Sequence, residues 1–228
     1  AVGASALGAL TSGIGNLAIG HQALAATETS DYNVAIGASA LSLLTGDGAT
    51  NNVAIGHSAG LTLVTGTNNI MIGRDALKLA AVGESSNIAI GYAAMASVDE
   101  GDAGGDADHN IAIGHDALTG GDLAGNDYQL QGNIAIGSNA LNSTGAYEQT
   151  GTIAIGYDAL SALTDGSANT VVGFTAGALI TTGGSNTILG HNAMKATPVA
   201  ATSNVAIGAD AMGGASSLQT ASDYNVAI

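Results

Sequence analysis

The chain has 228 residues, eighteen acids against three cations, a formal net charge of −15, and neither cysteine nor tryptophan. Phosphate recognition needs clustered Lys and Arg, so nucleic acid is excluded as a partner, and the missing cysteine excludes disulfides and thiolate metal sites. Phe174 is the only phenylalanine and small aliphatic residues dominate, so any core must be narrow.

From the first residues onward one unit recurs: Asn33-Val34-Ala35-Ile36-Gly37 returns as Asn52-Val53-Ala54-Ile55-Gly56, as Asn110-Ile111-Ala112-Ile113-Gly114 and as Asn133-Ile134-Ala135-Ile136-Gly137. Its glycine occurs twelve times, at spacings of 17, 17, 19, 17, 18, 23, 23, 19, 17, 17 and 18 residues. A period that short, without a helix-length apolar face, predicts an all-β solenoid of about twelve stacked rungs, each too small to bury its own apolar surface. At roughly 4.7 to 4.8 Å per rung the rod would be about 57 Å long. The period runs from residue 1 to 228, so the expectation is a single repeat array. The chain begins mid-repeat and reads as a fragment of a longer fibrous protein.

Within a rung the pattern Asn, Val/Ile, Ala, Ile, Gly, x, x, Ala, Leu predicts two short strands around a turn. Alternation puts Val34 and Ile36 on one face and Ala35 on the other. Both faces are apolar, as in strands buried on both sides. The expectation is that the Val/Ile pair fills the interior while Ala35, Ala54, Ala112 and Ala135 form an outer strip against another subunit. Gly37, Gly56, Gly114 and Gly137 mark a turn that demands positive φ or close backbone approach. Ala40 and its equivalents, three residues after each glycine, mark a position where nothing larger fits. Asn33, Asn52, Asn110 and Asn133 are expected to stack into an amide ladder along the axis, with Thr152 the one substitution.

After the glycine come His21, His57, His115 and His191 in four rungs, Tyr92 and Tyr157 in two, and Arg74 or Phe174 in others. His21 and His57 lie two rungs apart, roughly 9.5 Å, too far to share one ion; a three-histidine site would need a threefold axis. Two neighbouring connections of 23 residues carry the acids: Asp99, Asp102, Asp106 and Asp108 in the first, Asp122 and Asp127 in the second. Clustered carboxylates separated by glycine suit Ca²⁺, yet the spacing matches no EF-hand loop, so a solvated acidic loop is the competing and favoured reading. Near the end, Ser222 to Ile228 repeats Ser30 to Ile36 without change, an offset of 192 residues that predicts higher-order copies of the block.

The N-x-A-I-G-x-x-A-L unit resembles, over the whole chain, the head repeat of trimeric autotransporter adhesins, the YadA-type left-handed parallel β-roll. Rungs of 17 to 19 residues exceed the adhesin unit. They look more like the longer repeats of phage tail fibres and giant bacterial surface proteins. The resemblance implies a parallel homotrimer, an extracellular place on a cell surface or virion, and attachment to a host-cell or environmental surface, glycan included. Apart from the calcium weighed above for the acidic connection no cofactor is expected, and no membrane-length apolar run points to membrane insertion in this segment. A non-enzymatic structural and adhesive rod is the leading expectation: Ser, His and Asp are scattered without a nucleophile elbow, and no acidic pair sits beside aromatic sugar platforms. A glycan-binding or glycan-cleaving tailspike segment is the alternative. An ice-binding solenoid ranks lower, because Thr45, Thr65, Thr144 and Thr164 lie in connections of variable length.

Overall fold

The computed structural model describes residues 1–46, 48–80, 83–98, 106–120, 128–145, 147–195, 200–213 and 224–228. Among them no helix forms; the chain is an all-β parallel solenoid. Its strands are β1 (Leu17–Ile19), β2 (Val34–Ile36), β3 (Val53–Ile55), β4 (Ile70–Ile72), β5 (Ile88–Ile90), β6 (Ile111–Ile113), β7 (Leu130–Gln131), β8 (Ile134–Ile136), β9 (Gln149–Thr150), β10 (Ile153–Ile155), β11 (Thr170–Val172), β12 (Thr187–Leu189), β13 (Val205–Ile207) and β14 (Val226–Ala227). All but β7 and β9 join one twelve-stranded sheet in chain order, and β7 pairs β9 in a small second sheet. Register is kept rank by rank: Ala35 pairs with Ala18 and Ala54, and Ala112 with Ala89 and Ala135.

The rung contains one strand of the main sheet, not the expected two. After the glycine the segment Gly-x-x-Ala-Leu is a run of turns with left-handed residues at alternate positions, such as Asp116 (φ 53°) and Leu118 (φ 47°). Apolar patterning cannot separate such a run from a strand, because the alternation is the same. Its backbone groups are still satisfied by the neighbouring rungs: the Asp116 N–H donates to the Tyr92 carbonyl and the Leu118 N–H to the Ala140 carbonyl. Holding leucine at positive φ costs about 1–2 kcal/mol, whereas burying its side chain returns about 1.5–3 kcal/mol, so burial wins.

The faces of the strand are also the reverse of the expectation. Every three-residue strand buries its middle residue and leaves the flanking two at least partly open. Ala35, Ala54, Ala112 and Ala135 are fully buried inside the rod, together with Ala40 and its equivalents and Leu41 or its equivalents. The interior is narrow: two alanines and a leucine or methionine per rung fill most of it, and Leu44, Leu63, Val98, Leu130, Leu163 and Ile180 from the connections complete it. The larger Val and Ile side chains that flank the strand's alanine therefore point outward.

Two rungs confirm this volume rule by breaking it together. Where the leucine rank becomes Gly60, the next rung carries Met71 in the alanine rank, and a Cβ on Gly60 would lie 2.7 Å from the Met71 Sδ. Where it becomes Gly177, the alanine rank holds Val171 and Ile188, and a Cβ on Gly177 would meet Leu160 Cδ2 at 3.0 Å, Ile180 Cδ1 at 3.2 Å and Ile188 Cδ1 at 3.4 Å. The enlarged alanine rank, together with Leu41 at Gly60 and with Leu160 and Ile180 at Gly177, takes up the space of the side chain that is lost. Met71→Ala alone should therefore open a cavity and cost about 2–5 kcal/mol. Adding Gly60→Leu should recover much of that loss, since leucine already adopts this left-handed conformation in neighbouring rungs; chemical denaturation of the single and double variants checks the coupling.

The glycine at the strand end is required twice over. Gly114 has φ +140°, and a Cβ there would lie 2.6 Å from the Gly137 carbonyl oxygen and carbon. The same relation links Gly37 to Gly56. Gly114→Val should destabilise the local stack by several kcal/mol, because both strain and backbone collision oppose it. Ser138→Ala, one residue past Gly137, should stay within about 0.5 kcal/mol of the parent. Equal melting of the two variants would remove the close-approach argument.

Candidate functional site

Three side-chain ranks run along the rod, and each was a candidate for chemistry. The first is the asparagine ladder. Asn110 donates its backbone N–H to Asn87 Oδ1 at 2.9 Å, and its Nδ2 donates to Asn87 Oδ1 at 3.2 Å and to the Leu130 carbonyl at 2.7 Å. Its own Oδ1 accepts from the Asn133 N–H at 3.0 Å and Asn133 Nδ2 at 3.1 Å. Asn33 and Asn52 are joined in the same way. All four are fully buried, so their amides are spent within the fold. At Thr152 the ladder thins: its N–H still donates to Asn133 Oδ1 at 2.9 Å, but the Asn169 N–H reaches Thr152 Oγ1 only at 3.5 Å. Buried Gln149 lies in this stretch and donates from Nε2 to the Leu163 carbonyl at 3.2 Å.

The second rank is the acidic connection. Asp99 and Asp102 lie outside the described residues, as do Asp122 and Asp127. Asp106 and Asp108 are half-buried, and each is engaged by the protein: Asp106 Oδ2 accepts from Gln131 Nε2 at 2.7 Å, and Asp108 Oδ1 accepts from the Ser85 N–H. Among the described residues no three His, Asp or Glu side chains converge as a metal site would require. Burial, aided by neighbouring Asp106, pushes the Asp108 carboxyl above the usual carboxylate range, against the lowering effect of the Ser85 hydrogen bond and His109.

The third rank, immediately after each glycine, is where the structure adds most to the sequence. Tyr92 stacks on His115 with ring centroids 5.0 Å apart and planes 16° from parallel. Arg74 lies over the Tyr92 ring with its Cζ 5.8 Å from the centroid. Further along, Tyr157 stacks on Phe174 at 5.2 Å and Phe174 on His191 at 5.5 Å. His115 and His191 are thus members of exposed ring stacks, and neither stack holds a second histidine. The periodic glycine is the signal that predicts this stacking, since a fixed register places successive rings one rung apart. Because the rings lie face to face, they present edges to solvent and leave few faces for a sugar.

A cavity of about 290 Å³ is lined by Gln22, Ala25, Ala26, Ser42 and Leu43, without a carboxylate or histidine. Among the described residues no helix is long and apolar enough to cross a membrane. Compared with family models, curated proteins and solved structures, the chain matches none.

The Asp108 shift carries a pH signature. A carboxyl raised in the folded state stabilises fully below its unfolded pKa and loses that contribution as pH rises through the folded value. Asp108→Asn keeps an acceptor for the Ser85 N–H and removes the buried charge, so it should equal or exceed the parent in stability at neutral pH. The advantage should vanish in strong acid, as melting curves across pH would register.

Proposed function

We propose that this protein is a non-enzymatic, extracellular structural and adhesive rod that assembles with copies of itself, as a parallel homotrimer of left-handed β-rolls, to project a binding surface from a cell or virion. The observation that carries the reading is the apolar strip on the outside of the sheet. Leu17, Ile19, Ile55 and Leu189 are exposed, and the outward Val and Ile of the intervening strands are partly so. From β1 to β10 every outward position of the main sheet is Leu, Val or Ile, and an apolar strip of that kind marks a surface for protein–protein contact. A closed cyclic arrangement would cover three equivalent strips at once. The narrow core of small aliphatic side chains, repeated rung after rung, favours a scaffold over a catalyst.

Light scattering on the unaltered protein tests the assembly, and a stable folded monomer at micromolar concentration would end it. Ile113→Asp with Ile136→Asp should dissociate the oligomer while leaving each rod folded, since both side chains point outward. In a trimer six like charges would face a desolvated seam, at several kcal/mol per unpaired ion. Ala112→Glu with Ala135→Glu should instead unfold the rod itself, because those positions lie in its core. Circular dichroism alongside scattering separates the two outcomes.

A further inference from the structure

The stacking column has a gap. Tyr92 and His115 stack, and Tyr157 and Phe174 stack, but the rung between these pairs carries Ser138. One face of His115 is covered by Tyr92 and one face of Tyr157 by Phe174, so each ring turns its other face toward the serine rung. The two faces are two rungs, about 9.5 Å, apart. A planar group inserted midway would lie about 4.8 Å from each, close to the 5.0 and 5.2 Å that the column uses between its own members. Ser138 supplies only a short hydroxyl-bearing floor. His115 and Tyr157 are each roughly half exposed, at 56% for the His115 side chain and 46% for Tyr157, so the slot opens to solvent.

Charge selects the occupant. Asp116, one residue beyond His115, holds its Oδ2 3.0 Å from His115 Nδ1, and Asp158, one residue beyond Tyr157, accepts from Asn139 Nδ2 at 2.8 Å. A carboxylate therefore stands on each side of the slot, in a chain with a net charge of −15. The same column already shows what a cation does here, with the Arg74 guanidinium lying over Tyr92 while its Nε donates to Asp75 Oδ2 at 3.2 Å. A flat cation with fork-like donors satisfies the ring faces and the carboxylates together; an ammonium would satisfy only the charge. We propose that the slot between His115 and Tyr157 is a docking site for an arginine side chain of a partner protein. The other gap of this kind, at Ala38 between His21 and His57, is flanked by Gln22 and Ser58 in place of acids and serves as an internal control.

The test follows the ring protons of His115 and Tyr157 by NMR while N-acetyl-arginine amide is added to the intact chain into the millimolar range. N-acetyl-lysine amide and N-acetyl-tyrosine amide are run in parallel. Expected are saturable shifts at those two rings with arginine, several-fold weaker binding of lysine and tyrosine, and no response at His21 or His57. Ser138→Tyr should complete the column and abolish the response. Asp116→Asn with Asp158→Asn, which leaves the column intact, should reduce arginine binding several-fold even if the tyrosine variant folds poorly. The proposal is overturned by absent shifts, by tyrosine amide binding as well as arginine, or by an unchanged response in a folded Ser138→Tyr or Asp-to-Asn variant. None of these outcomes depends on the oligomeric state, so the proposal and the assembly reading can fail separately.

Discussion

The close approach of one strand-end glycine to the next is the constraint from which the rest of the rod follows. At Gly114 the carbonyl of Gly137 occupies the space where a side chain would begin, so adjacent rungs cannot slip without a backbone collision. Beside it the asparagine ladder ties rung to rung, except at Thr152, through a buried amide that is both donor and acceptor. Register fixed at these two points leaves every other rank no choice but to stack like on like. The alanine core, the outward aliphatic strip and the aromatic column are three consequences of one alignment. Extra residues in the longer rungs must then be accommodated in the connections, where β7 and β9 form their separate pair.

A solenoid of this kind has only nearest-neighbour contacts to correct a fault. The exchange between Gly60 and Met71 illustrates how that works: the leucine missing from one rung is replaced by a side chain reaching across from the next. The atoms nearest the emptied position at Gly60 come from the adjoining rungs, Met71 on one side and Leu41 on the other. It also follows that the glycines at 60 and 177 differ in purpose from the strand-end glycines. The former vacate space for a larger neighbour, and the latter let a backbone approach.

That exchange also explains what could be seen in the sequence and what could not. The glycine and asparagine ranks were legible because twelve repeats impose the same requirement on one position. Which face of the strand looks inward was not legible from alternation, because Val-Ala-Ile is apolar on both sides and period-two patterning carries no sign. The clue lay in paired departures: Met71 and Ile188 enlarge the alanine rank where Gly60 and Gly177 empty the leucine rank, which makes sense only if both ranks line one interior. The second strand was misread for a related reason. Leucine at φ near +50° defies its intrinsic preference, and only burial inside the stack makes Leu118 or Leu160 acceptable there. Of the acidic candidates, Asp106 and Asp108 prove to be tied to Gln131 and Ser85, contacts between different rungs that no linear spacing reveals.

Four of the eighteen acids, Asp75, Asp116, Asp158 and Asp210, share one conformational setting. The second residue after each strand-end glycine adopts positive φ throughout, a conformation in which Asp, Asn and Ser are at ease. From the Arg74 rung onward that rank reads Asp75, Ala93, Asp116, Asn139, Asp158, Thr175, Asn192, Asp210. No two acids in it occupy adjacent rungs. Side by side at about 4.8 Å they would repel as directly opposed like charges do. Two rungs apart, at about 9.5 Å, they are separated by more than the screening length of roughly 8 Å at physiological salt. The intervening residue can also turn a repulsion into a bond, as Asn139 does by donating to Asp158 and Asn192 by donating to Asp210 at 3.0 Å. Fixed register thus forces a rule on surface charge as strictly as on core volume, and the Ser138 rung, with Asp116 and Asp158 on either side and Asn139 in its own place of this rank, is where that rule leaves negative potential beside two open ring faces.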